Sequence, residues 1–197
     1  KNRKMHVFEV GAITQEVRLN VNGALGPVYQ TLAYGKGAYV VHMLRMMMHE
    51  GPNPDARFIA MMKEFSGGDH DRAVDTAGFQ RIVEKFMTPK MRAIGGGSMD
   101  WFFDQWVYGT QVPAYKADLK VRKEGGGKFR IKGTITQAQV SPGFKMIVPL
   151  YLDMGKGKVV KFGAIPMIGN SDYPLDVVIP VPGKPKGALI NANHDIL

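Results

Sequence analysis

The chain contains no cysteine in 197 residues. That excludes disulfides, thiolate nucleophiles and thiolate-bound zinc. It fits a reducing cytoplasm and an oxidising extracytoplasmic space equally well, and so leaves the compartment open. Long apolar runs are missing too: no stretch approaches the roughly 20 residues that a membrane helix needs, so no membrane contact is expected. The first residues, KNRKMHVFEV, hold neither an initiator methionine nor an apolar signal core, and are expected to be an internal position of a longer protein. Phosphate-loop spacing is missing as well, because Gly35-Lys36-Gly37 and Gly155-Lys156-Gly157 do not continue into the G-x-x-x-x-G-K-[ST] pattern.

What is present is an ordinary globular composition, 45% hydrophobic and 22% charged, which excludes a disordered chain. The formal charge of +9 is unevenly spread. Residues 1–113 carry thirteen lysines and arginines against eleven carboxylates, whereas residues 114–197 carry thirteen against six. In the second part Lys116, Lys120, Lys128, Arg130 and Lys132 alternate with apolar residues, as the solvent face of strands does. Stacking aromatics do not accompany them, so they read as a solvated sheet face, with polyanion binding by the basic sandwich as the lesser alternative, and no nucleic-acid partner is expected.

Two periodicities divide the chain. Val28, Leu32, Tyr39, Met43, Met46 and Met47 recur at helical spacing and predict a helix from about Val28 to His49, stopped by Gly51-Pro52. Asn53-Pro54-Asp55 supplies a cap and an N-terminal proline for a second helix carrying Phe58, Met61, Met62 and Phe65, ended by Gly67-Gly68. Asp75 or Thr76 caps a third, with Phe79, Ile82, Val83 and Phe86. Gly95-Gly96-Gly97 reads as a flexible link, after which Ser98 caps a short helix from Met99 to Tyr108. From Val112-Pro113 onward the period is two, in Tyr115–Val121 and Lys128–Lys132. Apolar runs follow at Phe144–Leu152, Val159–Ile168, Leu175–Ile179 and Ala188–Ile190, separated by glycine- and proline-rich turns. The expectation is an α+β chain: a helical part, residues 1–113, and a small antiparallel β-sandwich of six or seven strands, residues 114–197. Residues 1–27 give no clear signal beyond an alternation at Val17–Val21.

Five histidines raise the question of a metal. His42 and His49 stand seven apart, two helical turns rather than the one turn that H-E-x-x-H uses. His49-Glu50 is followed by Gly51-Pro52, which ends both motif and helix. Asp69-His70-Asp71 lacks a second histidine nearby, and His6 and His194 lie near the two ends. Structural or solvated roles are expected for all five, with no metal-ligating residue and no bound cofactor in this chain. The thirteen methionines, including Met46-Met47-Met48, read as deformable core filling.

Two segments are more specific. Leu32-Ala33-Tyr34-Gly35-Lys36-Gly37-Ala38-Tyr39-Val40-Val41-His42-Met43-Leu44 resembles the Y-x-K-G-A…M-L helix downstream of the zinc site in aminopeptidase N-like gluzincin metallopeptidases. Met99-Asp100-Trp101-Phe102-Phe103-Asp104-Gln105-Trp106-Val107-Tyr108-Gly109-Thr110-Gln111-Val112-Pro113 is similar to the D-x-F-F-x-Q-W-V…G-x-P signature that closes the helical segment of that family before its sandwich. The resemblance covers about residues 20–197, in the family's order, and implies that residues 1–113 are the C-terminal part of a peptidase catalytic domain.

The resemblance also implies a function. In such enzymes zinc polarises the scissile carbonyl of a peptide substrate and the Y-x-K-G tyrosine donates to the developing oxyanion, a role that falls on Tyr34. Lys36, Gly37, Trp101 and Trp106 are expected to pack, with Gly37 permitting close helix approach. Neither H-E-x-x-H nor the downstream ligand glutamate occurs here. The expectation is therefore a C-terminal fragment of a zinc aminopeptidase, with zinc bound in the parent and the fragment alone inert. The alternative is a non-catalytic binding or scaffold module derived from the family.

Overall fold

The structure, a computed structural model, describes residues 11–15, 29–67 and 74–197. It is an α+β protein whose chain divides between Gln111 and Val112 into a helical unit and a β unit. The expectations placed on His6, Val17–Val21, Val28, Gly68 and Asp69-His70-Asp71 lie outside the described residues.

In the helical unit a short 3-10 turn, Ile13–Gln15, precedes a wide π-helical segment, Gln30–Lys36. That segment runs without interruption into α1, Gly37–Met48. The stripe predicted from spacing is buried at Leu32, Met43 and Met47, joined by Val40, Leu44 and Met48, while Tyr39 and Met46 are half-buried. Helix α2, Ala56–Gly67, starts where Asn53 O accepts from Ala56 N at 3.2 Å. The Asp55 carboxylate is not spent on the cap, because Arg45 holds it from α1 at 2.8 Å. Asp75 caps α3, Thr76–Lys85, by accepting from Gly78 N at 2.7 Å, the usual N-cap bond.

A helix that the periodicity did not predict follows: α4, Pro89–Gly95. Its signals are local rather than periodic. Thr88 caps it, Pro89 occupies its first turn, and Gly96 ends it in the left-handed conformation at φ 65°, the arrangement that favours proline at the start and glycine past the end. Gly95-Gly96-Gly97 is therefore a helix terminus, not a flexible link. Gly95 is also packed, since a Cβ there would stand 2.7 Å from Trp101 Nε1.

Helix α5, Asp100–Phe103, continues as a second π segment, Asp104–Tyr108. The helix begins one residue later than expected, with Met99 rather than Ser98 at its N-cap, and the Ser98 hydroxyl accepts from Asp100 N at 3.0 Å. The tertiary structure adds Glu84 of α3, which accepts from Met99 N at 2.9 Å. A carboxylate thus faces the positive end of α5. The aromatic run buries Trp101, Phe102, Phe103 and Trp106, with Phe103 edge-on to Phe79 and Phe79 edge-on to Phe65.

The β unit has six strands in two antiparallel sheets. β1 (Ala114–Gly125), β2 (Lys128–Ala138) and β5 (Ser171–Pro180) form one, in the order β1-β2-β5. β3 (Lys145–Gly155), β4 (Lys158–Ile168) and β6 (Gly187–Ile190) form the other, in the order β4-β3-β6. Alternation on β2 buries Phe129, Ile131, Ile135 and Gln137, as a half-covered strand requires. β3 is buried on both faces, which matches its nearly continuous apolar sequence. Most buried polar groups of this unit are paired, the exception being Asp195 Oδ1, which has no hydrogen-bond partner among the described residues. Gln137 donates to Gly169 O at 2.8 Å and accepts from Tyr115, whose phenol burial pushes above its ordinary range. The carboxylate of Asp195 accepts from the Tyr151 hydroxyl and lies 3.4 Å from Lys161 Nζ.

One glycine sets how closely β1 and β2 approach. Gly133 faces Leu119, and a Cβ on it would fall 1.8 Å from Asp118 O. Gly133→Ala is expected to destabilise the β unit by more than about 2 kcal/mol, because backbone rather than a flexible side chain must move. Urea unfolding of the wild type and variant measures this, and an unchanged midpoint would contradict the packing described.

Candidate functional site

The site is built around the π segment Gln30–Lys36, where the apolar stripe passes through a lysine. Leu32, Lys36, Val40 and Leu44 follow one another at intervals of four, and all four are buried. Lys36 retains only 2% of its exposure. Its four-carbon stem fills the stripe, and its ammonium is satisfied by main-chain oxygens. Nζ donates to Gly109 O at 2.7 Å and to Gly11 O at 3.3 Å. Burial lowers its pKa from 10.5 to about 8, since the charged form loses water and gains dipoles rather than a carboxylate.

Gly109 follows the second π segment, so its carbonyl stands at the negative end of that helix, where a cation is favoured. Position 109 also needs to be glycine. A Cβ there would lie 2.6 Å from Gln105 O and 2.7 Å from Asp104 O. One hydrogen bond between residues 73 apart in the chain thus joins the two most specific segments of the sequence. Both are wound as π helix, a form that is rare and often marks functional sites.

Tyr34 lies two residues before Lys36, turned outward where Lys36 is turned inward. Its side chain is 61% exposed, and its ring meets Tyr29 edge-on at 5.8 Å. Among the described residues its hydroxyl has no hydrogen-bond partner. The phenol is therefore a donor presented to solvent from a backbone that Lys36 and Leu32 anchor.

The other expected packing residues divide. Trp101 and Trp106 are buried. Trp101 Nε1 finds no hydrogen-bond acceptor among the described residues. Gly37 does not act as expected, because a Cβ there would meet nothing within 4 Å. Close approach is needed instead at Gly95 and Gly109, which periodicity does not single out.

His42 lies edge-on to Tyr39 at 5.7 Å. His49 Nε2 is 3.9 Å from Asp55 Oδ1, and the Arg45 guanidinium holds that carboxyl below its usual range. Among the described residues no three histidine, aspartate or glutamate side chains converge as a metal site.

No protein-family model matches the chain, and no curated protein does. The resemblance to gluzincin aminopeptidases thus rests on the two segments that the Lys36–Gly109 bond brings together.

The lysine makes a measurable prediction. The folded protein releases the Lys36 proton near pH 8 and the unfolded chain near pH 10.5. Between those values the unfolded state holds more protons, so stability rises with pH. The full contribution is present above pH 10.5 and is lost as pH falls through about 8. Its upper size is about 3 kcal/mol for a shift of this extent. A neutral amine keeps two N–H donors, enough for both carbonyls. Thermal unfolding from pH 7 to 10.5 is expected to show this rise in the wild type relative to Lys36→Met. Parallel pH profiles would show that Lys36 is not the buried proton donor described.

Proposed function

We propose that this chain supplies the oxyanion-stabilising wall of a zinc aminopeptidase site, with Tyr34 as the donor. The observation that carries the reading is the outward phenol of Tyr34, unpaired among the described residues, on a segment anchored through Lys36 to Gly109. A donor aimed at developing negative charge contributes most when its position is set before the reaction. Lys36 serves that need as a positioning residue, because its two carbonyl bonds hold the turn that carries Tyr34.

The donor set of the described residues does not fit zinc. No ligand trio converges among the described residues, and the sequence contains no H-E-x-x-H. In this reading the metal ligands belong to residues outside this sequence. When bound, zinc supplies Lewis-acid polarisation of a carbonyl and a nucleophilic water at neutral pH. Tyr34 supplies neither a nucleophile nor a general base; it donates one hydrogen bond to the carbonyl oxygen of a peptide as charge builds there. The substrate class is a peptide with a free N-terminus, following the family resemblance.

Aminoacyl-chromogenic substrates test the reading in two settings. The isolated chain with added zinc is expected to give no turnover. Joined to a part that holds the zinc ligands, the wild type is expected to be active, and Tyr34→Phe to lose about 10²–10³-fold in kcat, the usual effect of removing one oxyanion donor. Turnover by the isolated chain, or full activity in Tyr34→Phe, would overturn the proposal.

A further inference from the structure

The outer face of the β1-β2-β5 sheet carries an arrangement that solvation alone does not explain. Its register sets Lys120 directly opposite Lys132 and Arg122 directly opposite Arg130. Like charges directly opposite one another destabilise a sheet. Here two such pairs are consecutive on one face, so four cations form a block about 5 Å across the strands and about 7 Å along them.

The available carboxylates do not neutralise this block. Glu124 holds Arg130 Nε at 2.7 Å, and Asp176 holds Arg130 Nη1 at 3.0 Å. Asp176 also lies 3.4 Å from Lys132 Nζ. Arg130 is thereby fixed in orientation from both sides. Lys120 and Arg122 have no hydrogen-bond or ion-pair partner among the described residues. Their charges project, unpaired, beside a guanidinium already held in place.

The face is also hollow. A concavity of about 600 Å³ is lined by Lys120, Arg122, Arg130 and Lys132, with Asp118 and Glu124 as its only carboxylates. Gly133 lies in its floor, at the point where the β1 and β2 backbones approach too closely for a Cβ. A glycine within a strand commonly marks such close approach. With Asp176 beside Arg130 and Lys132, four cations meet three carboxylates, and the positive excess sits at the unpartnered Lys120 and Arg122.

We propose that this hollow is a binding site for a small phosphate anion such as pyrophosphate, free in solution. Arg122 and the pre-oriented Arg130 offer planar forks to phosphate oxygens, and Lys120 and Lys132 add point charges from the neighbouring pair. A bound anion would relieve the repulsion that Glu124 and Asp176 leave at Lys120 and Arg122. Exposed stacking aromatics do not line the hollow, so the phosphate is not that of a nucleic-acid strand.

The test is calorimetric titration of the whole chain with inorganic pyrophosphate at low ionic strength. The wild type is expected to bind with a Kd below about 1 mM. The double variant Lys120→Gln/Arg122→Gln is expected to weaken binding at least about tenfold, and the single variant Arg122→Gln to fall between. Lys156→Gln/Lys158→Gln removes the same charge from the β3-β4 turn and the first residue of β4 and is expected to bind as the wild type does. Without ligand, the Lys120/Arg122 double variant is expected to melt no lower than the wild type, because a like-charge contact is removed. Absence of binding at millimolar pyrophosphate would overturn the proposal. So would equal weakening in the Lys156/Lys158 control, or binding confined to phosphatidylglycerol vesicles.

Discussion

The helical unit depends on a buried ammonium meeting a helix-terminal carbonyl. A lysine placed in an apolar stripe must either reach water or find oxygen inside the protein. Lys36 finds it at Gly109 and Gly11. Each of those contacts constrains something else. The carbonyl at 109 is available because glycine allows the chain to turn tightly past Gln105 and Asp104. The π winding at 30–36 coincides with Lys36 turned into the core and Tyr34 turned out of it. A single internal charge thereby joins the middle of the first helix, the end of the last one and the short N-terminal segment at residue 11.

The depressed pKa of this lysine shows what the arrangement costs. A salt bridge would have kept the ammonium near its ordinary range, since an opposite charge favours the ionised form. Carbonyl dipoles only partly replace water, and the proton is held less firmly. Anchoring through carbonyls places the lysine according to main-chain geometry, and so ties it to helix termini. That ties the backbone beside the outward phenol to main-chain geometry rather than to another surface side chain.

The β unit handles charge in the opposite manner. Its buried side chains meet local partners: Gln137 with Gly169 and Tyr115, and Asp195 through Oδ2 with Tyr151 and Lys161. Its unmatched charge lies outside, concentrated on one sheet face. Arg130 is held by carboxylates on both sides while Lys120 and Arg122 are left without partners. The alternation of lysines with apolar residues is legible as an outer sheet face. Direct opposition of lysine to lysine and arginine to arginine depends on register, which alternation alone does not specify.

The fold class, the change of period near Val112-Pro113 and most strands were readable because burial imposes periods of 3.6 and 2 on the residues that face a core. Local chemistry also marked Asp75 as a cap and the glycine clusters as turns. Helix α4 escaped periodicity because seven residues hold too few apolar positions to set a phase, although Thr88-Pro89 and Gly96 marked its ends. Glycines were the weakest point: Gly37 looked like a close-packing residue and meets nothing, whereas Gly95, Gly109 and Gly133 each lie against another group. At Gly133 the close group is Asp118 O of another strand, whereas at Gly95 and Gly109 it lies four to six residues away and depends on how the local turn is wound, which apolar spacing does not encode. The alternating and helical faces, the two units and Tyr34 as a candidate are legible in the order of residues alone. That Lys36 lies inside and reaches Gly109, and that four cations share one hollow, follows from folding, because segments many residues apart in the chain must meet in space.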